Sequence, residues 1–261
     1  ASLAPSGGNM QPWHYHFDEN KGLFLFLDKS HISYSIDYQF VSSMISLGAA
    51  TENIILSAER HKVPLEYTFY DDSKNNYPVA HFYPANKISH PNPHLYNYIF
   101  TRKTDRMRGN QAHLDDFILN DLSNNDKPFK ELTINWIPKK CFDQFADIYA
   151  SIERIRLLDE QCHKELMNEL RWTKDEELLK KDGISIDSLD LNETERMSLN
   201  LLKRSDAVNL LSNWDLGHGF TSLFKKSINT ASGLGVICGK SDSYNNFFRV
   251  GILLQRIWLN A

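Results

Sequence analysis

Two segments of this 261-residue chain gather residue types that can do chemistry. The first is Ala4-Pro5-Ser6-Gly7-Gly8-Asn9-Met10-Gln11-Pro12-Trp13. Pro5 ends any helix before it, and Gly7-Gly8 lets the backbone turn sharply or approach a ligand. Ser6, Asn9 and Gln11 add short polar side chains beside a strand that Trp13 begins. That suits a planar heterocycle needing both donors and acceptors. On residue types alone, a structural turn explains the loop equally well. The second segment is Arg102-Lys103-Thr104-Asp105-Arg106. In an extended stretch alternate residues share a face, so Arg102, Thr104 and Arg106 converge. Two guanidinium forks and a hydroxyl match a phosphate dianion, although a basic pentamer is more often a solvated surface.

Other candidates are weaker. His14 and His16 alternate on a strand and could ligate a metal, but no third ligand is spaced nearby. Cys141, Cys162 and Cys238 are far apart and lack CxxC spacing, which reads as inert thiols. Gly233–Gly239 superficially looks like a phosphate loop but has no closing Lys-Ser/Thr, and reads as a packed strand. Phe247, Phe248 and Trp258 read as core residues of a final helix, near which a planar ring could stack.

The elements that must position these residues follow from periodicity. Trp13–Phe17 and Leu23–Leu27 predict strands joined by the polar turn 18–22, a hairpin. From Asp37 to Lys62 the apolar spacing predicts a largely buried helix, with Pro64 just past its end. Leu65–Tyr70 and Val79–Tyr83 predict strands around the turn-rich stretch 71–78. Ser89–Pro93 reads as a stiff connector and the preferred boundary between two halves. A short helix from His94 to Thr101 leads into the arginine segment. Then come a helix around Leu114–Leu122, a strand at Leu132–Ile137, a charged helical stretch from Cys141 to Leu211 broken at Asp182-Gly183-Ile184, and a last helix from Asn245. Leu47–Ala58 also aligns without gaps to Val250–Ala261, matching Gly48 with Gly251, Glu52 with Gln255, Ile54 with Ile257, Leu56 with Leu259 and Ala58 with Ala261. Independent core helices could share these residues. A glycine early in both nevertheless suggests close helix–helix contact, since it costs about 1 kcal/mol against alanine.

Composition narrows the class. Hydrophobic residues at 41% and charged residues at 24% are ordinary for a soluble globular protein. The net charge of -4 argues against nucleic acid as the main partner. No uninterrupted apolar run approaches the roughly 20 residues that span a bilayer, so no membrane role is expected. Nor is a signal peptide visible. Three widely spaced cysteines suit a reduced, cytoplasmic setting. The first residues, without Met, and the last, inside a helical pattern, suggest a piece of a longer protein.

The motif P-S-G-G-N-x-Q-P-W at Pro5–Trp13 resembles the signature loop of the FMN-dependent nitroreductase superfamily. In that family two subunits share each flavin site: one supplies this loop to the isoalloxazine and ribityl side, the other an R-x-S-x-R segment to the ribityl phosphate. Arg102–Arg106 is similar to the second motif, with Thr104 in place of Ser. In a simple subunit the arginines precede the loop, whereas here they follow it. The order resembles a branch with two nitroreductase-like halves fused in one chain. The resemblance implies an α+β nitroreductase-like fold of two pseudo-repeated halves forming an intrachain pseudo-dimer: residues 1–92 with the loop, and 93–261 with the arginines and a helical lid-like insertion at about 141–211. The helix pair around Gly48 and Gly251 is similar to the family's G-x-x-x-Q/E-x-x-x-L-x-A helix. No second loop follows Arg106, so one flavin site is expected.

The same resemblance implies an FMN-dependent oxidoreductase that uses NAD(P)H to reduce a nitroaromatic, quinone or similar small-molecule acceptor. FMN-binding residues would be Ser6, Gly7, Asn9, Gln11, Arg102, Thr104 and Arg106, with no metal and no named catalytic side chain, because water or substrate can deliver protons. Alternatives are a flavin-holding or sequestering module, an accessory domain of a ThiF-type adenylyltransferase fusion, or a flavin-free interaction domain. The chain could also form a homo-oligomer. Two features depart from the family pattern. Further phosphate contacts and a backbone contact to flavin N5 fall after the family's last helix, where this chain ends. The charged stretch 141–211 also exceeds a minimal nitroreductase.

Overall fold

The computed structural model describes residues 1–71, 77–86, 92–126 and 129–261. Most of the 71–78 turn and the connector 89–93 therefore lie outside the described residues. The chain is α+β and divides into two compact units. Unit 1 comprises Ala1–Thr104, Phe117–Ile134 and Ile237–Ala261; unit 2 comprises Asp105–Asp116 and Asn135–Val236.

In unit 1, β1 (Trp13–Asp18) and β2 (Gly22–Leu27) form the expected antiparallel hairpin. Asp18 closes its turn by accepting the backbone N–H groups of Asn20 and Lys21. With β3 (Leu65–Phe69) and β4 (Ala80–Pro84) they make a four-stranded antiparallel sheet of order β1-β2-β4-β3. Alternation sends Trp13, Leu25, Ala80 and Phe82 into the core. The opposite face carries His14 stacked on Phe26 and His81 stacked on Phe24, so His14 serves in an aromatic ladder.

Helix α1 (Val41–Arg60) is buried over most of its circumference. The stretch Tyr38–Arg60 has a mean hydropathy of 1.2, enough by length and composition to cross a membrane. Yet 72% of the qualifying window is buried within the protein. It packs as a core helix, and its hydroxyls are satisfied locally: Ser46 donates to the Ser42 carbonyl and Thr51 to the Leu47 carbonyl.

The principal partner of α1 is α9 (Tyr244–Asn260), which Ser243 caps at its N-terminus. The two helices meet at the matched glycines. A Cβ on Gly48 would fall under 3.0 Å from the Phe248 carbonyl oxygen, and one on Gly251 under 3.0 Å from that of Ile45. Each glycine thus receives the carbonyl three residues before the other. One turn on, Arg256 donates to Glu52 at 2.8 and 3.1 Å, and Gln255 donates to Asn53 at 2.8 Å, all buried.

Unit 2 is mainly helical: α3 (Phe142–Leu158), α4 (Glu160–Glu169), α5 (Lys174–Lys180), α6 (Glu193–Leu201), α7 (Ser205–Asp215) and α8 (Thr221–Asn229). Asp159 and Thr173 cap α4 and α5, and Asn192 forms a capping box with Glu195 at α6. A small core of Leu157, Leu202 and Val208 holds the helices. The break at Asp182-Gly183-Ile184 is real. Lys181 ends α5 in a left-handed conformation, and Ile184–Ser185 then pairs in parallel with Leu170–Arg171. A short helix, α2 (Asp116–Ser123), precedes the strand Leu132–Trp136, which pairs with Gly235–Gly239.

Candidate functional site

The Pro5–Trp13 loop is a compact turn built from unusual backbone angles. Ser6 is extended; Gly8, Asn9 and Gln11 take φ of 56°, 55° and 53°. Left-handed backbone is uncommon for non-glycine residues, above all for one such as Gln11, and costs about 1–3 kcal/mol per residue. The loop repays part of that cost internally. The Gln11 N–H donates to the Ser6 hydroxyl at 3.0 Å, Asn9 N–H to the Ser6 carbonyl, and Met10 N–H to the Gly7 carbonyl. Ser6 is therefore first a clasp of the loop. Asn9 is exposed, while Ser6 and Gln11 are half-buried.

The loop rests on the start of α1. A Cβ on Gly7 would lie 2.7 Å from the Ser42 hydroxyl, so Gly7 allows that approach. The same helix end is fastened by Asp37, whose buried carboxylate accepts the N–H of Ser42 at 2.7 Å and the hydroxyl of Ser43 at 2.5 Å. Negative charge at this end is attracted to the positive pole of the helix dipole. Gln39 and Phe40 enter the helix at φ of 50° and 59°.

Arg102 joins this region from far along the chain. Its Nη2 donates to the carbonyl of Leu3 at 3.1 Å, just before the loop, and its guanidinium lies 4.7 Å from the centre of the Trp258 ring on α9. Its Nε and Nη1 are buried and find no hydrogen-bond partner among the described residues. Burial pushes the Arg102 pKa down, with no carboxylate offsetting it. A buried cation with donors unused calls for an anionic partner.

Residues 102–106 form no helix, as the alternation argument requires. Thr104 is exposed and, like Arg102, belongs to unit 1. Arg106 belongs to unit 2, where it lines a cavity with Arg156 and Glu169, and burial lowers its pKa too. Arg102 is thus the arginine brought against the loop. Sequence reading passed over Leu3, Asp37 and the use of Trp258 as the plate under Arg102. Only Trp258 carried a signal, as an aromatic on the repeated helix.

No family model matches the chain. It is 30% identical over 262 residues to MT1398, an uncharacterized protein of Mycobacterium tuberculosis (strain CDC 1551 / Oshkosh). The match takes in 100% of this chain but 36% of that protein, so the chain spans little more than a third of the curated relative it matches.

Proposed function

We propose that this chain is an FMN-binding, nitroreductase-like oxidoreductase domain whose two halves, 1–92 and 93–261, form a pseudo-dimer within one polypeptide. The observation that carries the reading is Arg102: ninety-nine residues from Leu3, it reaches the head of the Pro5–Trp13 loop with two buried donors still unused. An FMN phosphate suits those donors, and Thr104 follows on the same segment of unit 1, whereas Arg106 belongs to unit 2. Ser6, Gly7, Asn9 and Gln11 would hold the ring and ribityl chain, the strained loop keeping its polar groups in place before the ligand arrives. Bound flavin would supply hydride chemistry between NAD(P)H and a nitroaromatic, quinone or similar acceptor. The protein's own work is to orient and desolvate it.

The crossing of α1 and α9 supports the two-half reading. Exchanging 48 with 251, 52 with 255 and 53 with 256 converts the Gly48–Phe248 contact into Gly251–Ile45, and Gln255–Asn53 into Glu52–Arg256. Interactions that map onto each other in this way are the signature of an isologous contact. The 141–211 helices would be the lid-like addition.

A second reading is a flavin-holding or accessory domain of a larger protein, such as an adenylyltransferase fusion, with little turnover of its own. The relative's much greater length favours it. Purified protein should carry or take up FMN at micromolar concentration. Bleaching of the flavin absorbance by NAD(P)H then supports the enzyme, and FMN that stays oxidised supports the accessory module. Folded protein that takes up no FMN refutes both.

The phosphate role has its own expected result. Arg102→Ala should weaken FMN by about ten- to a hundred-fold, the worth of one charge-assisted hydrogen bond. Riboflavin, lacking the phosphate, should bind the variant almost as it binds the parent. Lys103→Ala should leave both ligands unaffected. Equal losses for FMN and riboflavin would mean that Arg102 only supports the fold through Leu3 and Trp258.

A further inference from the structure

Unit 2 contains a cavity of about 260 Å³ between α3, α4, α6 and α8. Its walls are largely aliphatic, with Leu157, Leu166, Leu199, Leu202 and Phe224 among them. The volume sits just below the ~300–1,000 Å³ range of ordinary ligand sites, small for a nucleotide and suited to a compact apolar body.

The charged residues of the lining are already matched, with one exception. Arg108 binds Asp190 and donates to Glu195 at 2.7 Å, and Lys226 also pairs with Glu195. Arg156 lies between Glu169 at 2.6 Å and Glu153 at 3.7 Å. Burial raises the Glu153 pKa and so favours its neutral form. Arg106 lines the same cavity without an ion pair or hydrogen bond to any described residue. The Nε of Arg156 is likewise buried and unpartnered. An apolar chamber with a spare guanidinium calls for one kind of molecule.

We infer that this cavity binds a small apolar carboxylic acid, aryl or medium-chain, whose body lies among the leucines and whose carboxylate is received by Arg106. The site does not depend on the flavin reading, and its test is read with and without FMN. Calorimetric titration of the whole chain with 4-phenylbutyrate should give binding about tenfold or more tighter than with 4-phenylbutanol, which keeps the body and loses the charge. Arg106→Gln should bring the acid down to the alcohol's affinity and leave the alcohol unchanged. Leu199→Trp, which fills the chamber, should abolish both while far-UV circular dichroism stays that of the parent. If the filled variant does not fold, photolabelling of the parent with 4-azidophenylbutyrate answers the same question: label on 149–157 or 195–202 supports the site. Acid and alcohol binding equally, neither binding, or label confined to other segments overturns it.

Discussion

Gly251→Ala is expected to destabilise the protein by about 3 kcal/mol or more, read as a lower midpoint in urea unfolding. Intrinsic helix preference alone gives the opposite sign, since alanine is favoured over glycine by about 1 kcal/mol in a helix interior. The reversal comes from the crossing. The new Cβ would sit under 3.0 Å from the Ile45 carbonyl oxygen, and backbone cannot swing aside as a side chain can. The helices must separate, and Met44, Leu47, Phe248 and Ile252, all in the same core, lose contact together. Gly48→Ala should behave alike through the Phe248 carbonyl. Combining the two should cost less than their sum, because the first substitution has already opened the shared contact. A Gly251→Ala midpoint equal to or above the parent's would rule out the close crossing.

The buried Glu52–Arg256 pair carries the second large effect. Glu52 is 0% and Arg256 6% exposed. Glu52→Ala should cost about 3–5 kcal/mol, chiefly because it strands a charged guanidinium where water does not reach it. Arg256→Ala should cost a similar amount by removing the guanidinium from a carboxylate that stays buried. Replacing both together, Glu52→Leu with Arg256→Met, should recover most of the loss, since the pair repays its own desolvation only narrowly. A double-mutant cycle gives the coupling directly. Single substitutions costing under about 1 kcal/mol would mean that water reaches the pair. If the double substitution proves stable yet FMN uptake falls, the pair serves to set how the two helices meet, and through them the places of the loop on α1 and of Trp258 on α9.

Several elements are legible in the sequence itself. The hairpin around 18–22 shows itself as alternation broken by a polar turn, and both signals are local. Helix α1 follows from apolar spacing and from Pro64, and α9 from its likeness to α1 around the glycine. The break near Gly183 was visible because glycine and its neighbours cannot prolong a helix cheaply. The matched glycines were read as a close contact, and the helices do meet there. The polar cross of Glu52, Asn53, Gln255 and Arg256 was only half visible. Glu52 and Gln255 correspond in the alignment, but nothing in it says that each bonds to the neighbour of the other.

Residue identity alone therefore settled what recurs within a few positions: strand alternation, helix periodicity, the glycine-rich polar loop and the arginine segment. Each depends on bond geometry and on side chains close in the chain. Tertiary structure decided what those groups face. Ser6 is committed to its own loop, Arg102 lies on Trp258 with donors to spare, and Arg106 lines a cavity of the helical unit. The physical reason is that desolvation and long-range pairing decide whether an arginine is a surface charge or a seat for an anion, and both are set by residues far away in the chain.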